Sequence, residues 1–319
     1  MNKLTRVVII IVLIVLFIMT GVYIWLNRTM EMSTKEIKNS ISFETNIKVN
    51  NFLNVALATV DNTTKNTDEN KAKEVSVLAV NNNITSQTNE APKTLPIYKA
   101  TKYGTSENGR DLMYYSLAPE NYENTLLFVF AIHGYEDAYD KDGKVLVDTA
   151  KYLVDYYKNS DASLLYNNRL LIVECANPDG LYDGKSCNGY GRCNAKGIDL
   201  NRDFDVIHKA YTNSRNYTPA PFSGKESKAL ADLIKAEKPV VVIDFHGWEN
   251  CTIGDSNLAK IFRDNMSLKH KTDFNNNCNG YLSYWAHTQG ASALLVEFKN
   301  DNISRSNLKM AVDEVLETF

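Results

Sequence analysis

Leu126-Leu127-Phe128-Val129-Phe130-Ala131-Ile132-His133-Gly134-Tyr135-Glu136 is an unbroken apolar run that stops at a histidine, with a carboxylate three positions further on. A run of this length without polar alternation reads as a strand buried on both faces. The strand end fixes the backbone, and the loop behind it can fold Glu136 back beside His133. That geometry suits two ligands of one metal ion, and zinc takes histidine nitrogen and carboxylate oxygen readily. The H-x-x-E spacing alone occurs by chance in many chains. Its weight comes from two strands downstream, one ending in His246 and one in Glu297.

From Pro96 onward, strand and helix signals alternate. Tyr103 to Arg110 marks a turn before Leu112–Tyr115. Helical apolar spacing covers Val145 to Tyr157, and Leu170 to Glu174 is a strand that ends at Asn177-Pro178-Asp179-Gly180. A helix over Ser227–Ala236, starting near Ser223, stops before Pro239. Val240–Phe245 and Ala293–Val296 are strands, and Asn307–Leu316 is a closing amphipathic helix. The fold class expected is α/β: a mostly parallel mixed sheet sandwiched by helices. In such sheets the site lies beyond the carboxyl ends of the strands, where His133, His246 and Glu297 all sit.

The chain of 319 residues carries a formal net charge of -3, which leaves no basic excess for neutralising phosphates and argues against a nucleic-acid partner. All five histidines and all five cysteines lie beyond residue 130, so the chemistry belongs to the C-terminal part. Val7 to Leu26 is uncharged and almost wholly apolar, roughly 30 Å long as a helix and so able to span a bilayer. Tyr23, Ile24, Trp25 and Leu26 stand where a signal-peptide cleavage site would need small residues. Residues 1–26 therefore read as a retained single-pass membrane anchor with its N-terminus cytoplasmic, or as an uncleaved signal. Residues 27–95 are a polar, largely disordered linker with room for a short amphipathic helix in Glu36–Val60. A coil of that length has a dimension of roughly 45 Å. Residues 96–319 form the exported catalytic domain.

His133, Glu136, Asn177-Pro178-Asp179-Gly180, Arg192, Gly197-Ile198-Asp199-Leu200-Asn201-Arg202-Asp203-Phe204, His246 and Glu297 together resemble the zinc carboxypeptidase family, in the family's order and over roughly residues 96–319. The resemblance implies one zinc ion held by His133, Glu136 and His246, the ligand types known for carboxypeptidase A. It implies Glu297 as general base towards a zinc-activated water, and Arg192 as the group facing the oxyanion. Asn201 and Arg202 would hold the substrate's terminal carboxylate, for which a planar guanidinium is suited. The family's substrate-closing tyrosine corresponds to Tyr281 or Tyr284, and side-chain specificity would be set near Leu282 or Ser283. Neither of those two is charged, which disfavours a pocket for basic C-terminal residues. Compactness resembles the bacterial branch that cleaves γ-D-glutamyl–diaminopimelate bonds, so peptide or muropeptide is the expected substrate.

A bland reading exists for each position. His133 or His246 alone would be a satisfied histidine at a strand end, and Arg202 beside Asp199 and Asp203 a surface ion pair of little worth. Glu297 inside an apolar strand resists such a reading, since a buried carboxylate needs partners. His208, His270 and His287 read as surface or packing residues. Two alternatives compete with the peptidase: a zinc deacylase of N-acyl amino acids, which the anchor disfavours, and an inactive binding module, which the full residue set disfavours. A plain structural anchor would not need ligands at strand ends. Cys187 with Cys193, and Cys251 with Cys278, could form disulfides outside the cytosol, leaving Cys175 buried; free thiols fit equally well.

Overall fold

A computed structural model describes residues 93–319. The anchor, the linker and the helix expected in Glu36–Val60 lie outside the described residues. Among the described residues, no helix is long and apolar enough to cross a membrane.

Eight strands form one mixed sheet: β1 (Ile97–Thr105), β2 (Asp111–Ala118), β3 (Asn124–Phe130), β4 (Asn168–Val173), β6 (Val241–Gly247), β7 (Cys251–Gly254), β8 (His270–Thr272) and β9 (Ser292–Phe298). A further strand, β5 (Ser186–Cys193), stands outside it. The order across the sheet is β1-β2-β4-β3-β6-β9-β7-β8. The four central strands β4, β3, β6 and β9 are mutually parallel, and antiparallel β1–β2 and β7 flank them.

The apolar strands divide cleanly by alternation, as a pleat requires. Leu126, Phe128, Phe130, Ile243, Phe245, Leu294 and Val296 point to one face. There they meet helices α1 (Gly143–Lys158), α4 (Ser256–Met266) and α6 (Arg305–Thr318). Leu127, Val129, Leu171, Val242 and Ala293 point the other way, onto α3 (Lys225–Glu237) and α5 (Leu282–Thr288). Both faces being covered is why these strands read as continuous apolar runs. The short helix α2 (Pro178–Asp183) opens with Pro178 at its first turn and is capped by Asn177, whose Oδ1 accepts from Gly180 N at 2.9 Å.

Beneath the carboxyl ends of the central strands, Phe130 stacks on Phe245 with centroids 4.2 Å apart, and Phe245 on Phe298 at 5.7 Å. Such pairs add about 0.5–1.5 kcal/mol each beyond their burial. They tie together the ends of β3, β6 and β9, which carry the chemistry on the opposite face.

Candidate functional site

His133 leaves the end of β3, His246 is the sixth residue of β6, and Glu297 is the sixth of β9. His246 and Glu297 are register partners on adjacent parallel strands, so they project to the same face side by side. Glu136 returns to this point because its loop is folded around Asp142. That buried carboxylate accepts from Glu136 N at 2.5 Å, Ala138 N at 2.9 Å and Trp248 Nε1 at 3.0 Å. Gly134 is required for the same loop, since a Cβ there would lie 2.2 Å from Leu181 N in α2.

One ligand atom from each of His133, Glu136 and His246 lies within 4.8 Å of the others, all three residues buried. Both imidazoles turn Nδ1 towards Glu136, at 3.3 Å each. Their Nε2 atoms face carboxylates: His133 Nε2 is 3.1 Å from Asp199 Oδ1, and His246 Nε2 is 2.9 Å from Asp244 Oδ2. A carboxylate behind each imidazole fixes the tautomer that leaves Nδ1 free as a ligand and raises its basicity. Glu136 Oε1 is buried without a hydrogen bond. That oxygen, 3.3 Å from His246 Nδ1 while the other faces His133, fits a divalent cation, and His₂Glu with room for a fourth ligand is a donor set that zinc takes.

The electrostatics agree. Burial would raise the Glu136 pKa, but His133 and His246 more than offset it and hold the carboxyl down at about 2. Burial would lower His246, yet Asp244 and Glu136 push its pKa well above 6.5. Glu297 behaves oppositely: burial is the main cause that raises it to about 7, and its Oε2 makes no hydrogen bond.

Arg192 is buried, with Nε 3.4 Å from Asp199 Oδ2 and Nη1 3.9 Å from Asp137 Oδ2. Asp199 therefore serves Arg192 and His133 together, and it also accepts from Asn201 N at 3.0 Å. Arg202 donates to Asn201 O at 2.8 Å and lies over the Tyr281 ring, 4.5 Å from its centroid. Gly280, at φ +72°, lets Tyr281 come so close; a Cβ there would sit 2.1 Å from Arg202 O. These side chains line one cleft of about 440 Å³.

The structure brings together His133, Glu136, His246, Glu297, Arg192, Asn201, Arg202 and Tyr281, and departs from the sequence reading elsewhere. Tyr284 is not in the cleft; its ring stacks on Phe274 at 4.7 Å, so Tyr281 is the better candidate to close over a substrate. Leu282 and Ser283 are fully buried away from the cleft, because α5 turns them into the core beneath it. The wall instead carries Glu249, Cys251 and Ile253 from the β6–β7 edge and Leu295 from β9. Neither disulfide forms: Cys193, Cys251 and Cys278 are free, as is Cys175. The Cys193 thiol instead donates to Arg215 O at 3.4 Å. Asp203 is no surface partner of Arg202; it is buried, accepting from Thr218, Gly224 N and Ser227. His208, His270 and His287 stay out of the cleft. Asp244, Asp142 and Asp137 had no motif to announce them, although an acid two residues before His246 must share its face of the strand.

The sequence profile described as zinc carboxypeptidase matches residues 96–255, half of the chain. Bacteriocin BCN5 of Clostridium perfringens is 36% identical over 213 residues, covering 65% of this chain and 23% of that protein. The carboxypeptidase N catalytic chain of Mus musculus is 29% identical over 184 residues, covering 50% of this chain and 39% of its own length. The chain thus spans less than half the length of these two relatives. The solved murein-tripeptide amidase MpaA from Escherichia coli O157 superposes with a TM-score of 0.51 at 22% identity, over 70% of this chain and 96% of that one. Sheet, ligand group and profile agree, and the chain belongs to the zinc carboxypeptidase family.

Proposed function

We propose that this protein is a zinc-dependent peptidase that hydrolyses the bond before a C-terminal residue. The observation that carries the reading is that Glu297 stands beside His246 in register, with a buried oxygen uncommitted, in the cleft that also holds Arg202. Zinc, held by His133, Glu136 and His246, would polarise the scissile carbonyl and bring a water molecule's pKa towards neutrality. Glu297 takes the water's proton and passes it to the departing amine, and a carboxyl raised to about 7 suits both directions. Arg192 donates to the carbonyl oxygen as negative charge grows on it, kept in place by Asp199.

Arg202 grips the terminal carboxylate, and the Tyr281 ring beneath it sets the plane of the guanidinium. Asn201 Nδ2 lies 3.2 Å from His246 Nε2. Once that nitrogen carries its hydrogen towards Asp244 it cannot accept another, so the Asn201 amide is available to a substrate carboxylate. Holding the chain end at a set distance from the cation makes the enzyme an exopeptidase.

The substrate we favour is a cell-wall peptide carrying a γ-D-glutamyl–diaminopimelate bond. The resemblance to the murein-tripeptide amidase MpaA supports this choice, as does an N-terminal stretch suited to holding the domain outside the cytoplasm. The test is to measure zinc content and digest a defined muropeptide and an ordinary peptide side by side. Release of C-terminal amino acids from the ordinary peptide alone would sink the wall-peptide assignment. No cleavage of either by zinc-loaded protein would sink the peptidase.

A further inference from the structure

Arg215 is a guanidinium in the same cleft that the reaction above leaves unused. Its Nη1 donates to Asp137 Oδ1 at 2.8 Å and its Nη2 to Asp137 Oδ2, a fork-on-fork pair. Arg192 Nη1 stands 3.9 Å from Asp137 Oδ2. One carboxylate therefore lies between a buried guanidinium next to the cation ligands and a partly exposed one further out.

The loop bearing Arg215 is braced to keep it there. Asn213 Oδ1 accepts from Arg215 N and Asn216 N, Tyr211 and Thr218 pair across the loop's base, and the thiol of Cys193, the neighbour of Arg192, donates to Arg215 O. Arg215 and Asp137 are each 37% exposed. An ion pair so open to water contributes little to the fold, so stability does not account for the bracing.

We propose that Arg215 determines specificity: it receives a carboxylate carried on the acyl side of the scissile bond, next to the carbonyl that Arg192 faces, and Asp137 fills that position until substrate displaces it. A bidentate arginine is suited to this exchange of one carboxylate for another. Arg202 faces Asn201 and Tyr281, whereas Arg215 faces Asp137, so the two grips share no partner. A peptide engaging both is anionic on each side of the bond to be cut. An α-linked residue places no free carboxylate there unless its own side chain is acidic. A γ-linked glutamyl residue always does, because its α-carboxylate is left over. The inference rests on the peptidase reading and assigns Arg215 to the free α-carboxylate of the γ-glutamyl bond favoured above.

The test uses Glu297→Gln protein, which keeps the cation ligands. It is titrated calorimetrically with alanyl-γ-D-glutamyl-diaminopimelate and with the same peptide carrying an α-carboxamide on the glutamyl residue. The free acid is expected to bind about tenfold tighter, roughly 1.4 kcal/mol. Adding Arg215→Gln should bring the two within twofold by weakening the acid alone, and adding Asp137→Asn should tighten the acid. Equal affinities while Arg215 is present, no binding of either peptide, or a preference that survives Arg215→Gln overturns the proposal. Hydrolysis by the wild-type zinc-loaded protein is read separately. Equal cleavage of both peptides removes this inference and leaves the peptidase standing; a binding preference without cleavage does the reverse.

Discussion

Replacing Asp199 by asparagine tests the idea that the metal ligands are held by acids behind them. The side chain is fully buried, so solvent does not dilute the effect. Its oxygens meet His133 Nε2 at 3.1 Å, Asn201 N at 3.0 Å and Arg192 Nε at 3.4 Å. The amide preserves volume but turns the contacts to His133 and Arg192 from charge-assisted into ordinary ones, a loss of about 1 kcal/mol each. It can also present an N–H where His133 needs an acceptor. Outer partners of metal ligands typically contribute about 10–100-fold in affinity, or about 1.4–2.7 kcal/mol. Zinc affinity of Asp199→Asn, measured by competition with a chromophoric chelator, should fall by that factor. Urea unfolding of the metal-free protein should show a loss of about 2 kcal/mol. An affinity within twofold of wild type, in a protein of unchanged circular dichroism, would refute the reasoning.

Glu297→Gln should retain stoichiometric zinc by elemental analysis while turnover falls by about 10²–10⁴-fold. In the wild type the acid limb of kcat/KM should lie at or below pH 7, because burial raises Glu297 to about 7 and a bound cation draws it down again. Zinc affinity, titrated at several pH values, should keep rising after the titration of an ordinary histidine, centred on pH 6.5, is complete, because Asp244 and Glu136 raise His246 well above that value. Stability of the metal-free protein should carry the full Glu136 contribution above its ordinary pKa of 4.5 and lose it as pH falls towards about 2, which acid unfolding curves will report. Arg202→Lys should raise KM for a peptide with a free C-terminus by roughly tenfold, as a bidentate grip becomes a point charge, while kcat for the same peptide changes less.

The central strands were legible because burial on both faces leaves uninterrupted apolar runs, as in Leu126–Ile132 and Val240–Phe245. β1 was not: Ile97–Thr105 is an edge strand exposed along most of its length, and its lysines and tyrosines carry no core signal. β7 and β8, of four and three residues, are too short to show a period. Helix α3 starts at Lys225 rather than near Ser223, whose backbone N–H donates to Asp203. Of the site, what sits at the ends of the apolar strands could be read in advance: His133, His246 and Glu297. What depends on loops meeting in space could not. Asp142 reaches Trp248 across 106 positions, and Arg215 reaches Asp137 across 78. Leu282 and Ser283 misled because a short helix rotates them inward, which only the packing of α5 decides.

The pairing of His246 with Glu297 across β6 and β9 has a practical consequence. Adjacent strands in a sheet lie about 4.8 Å apart, and that spacing is held by backbone hydrogen bonds rather than by any loop. The interval from Glu297 to His246 is therefore as rigid as the sheet itself. Remodelling the loops around Asp137, Arg215 and Tyr281 can alter which molecules are admitted while leaving the reacting centre untouched. Anyone wishing to retarget the proposed hydrolase should edit its rim and leave its strands alone.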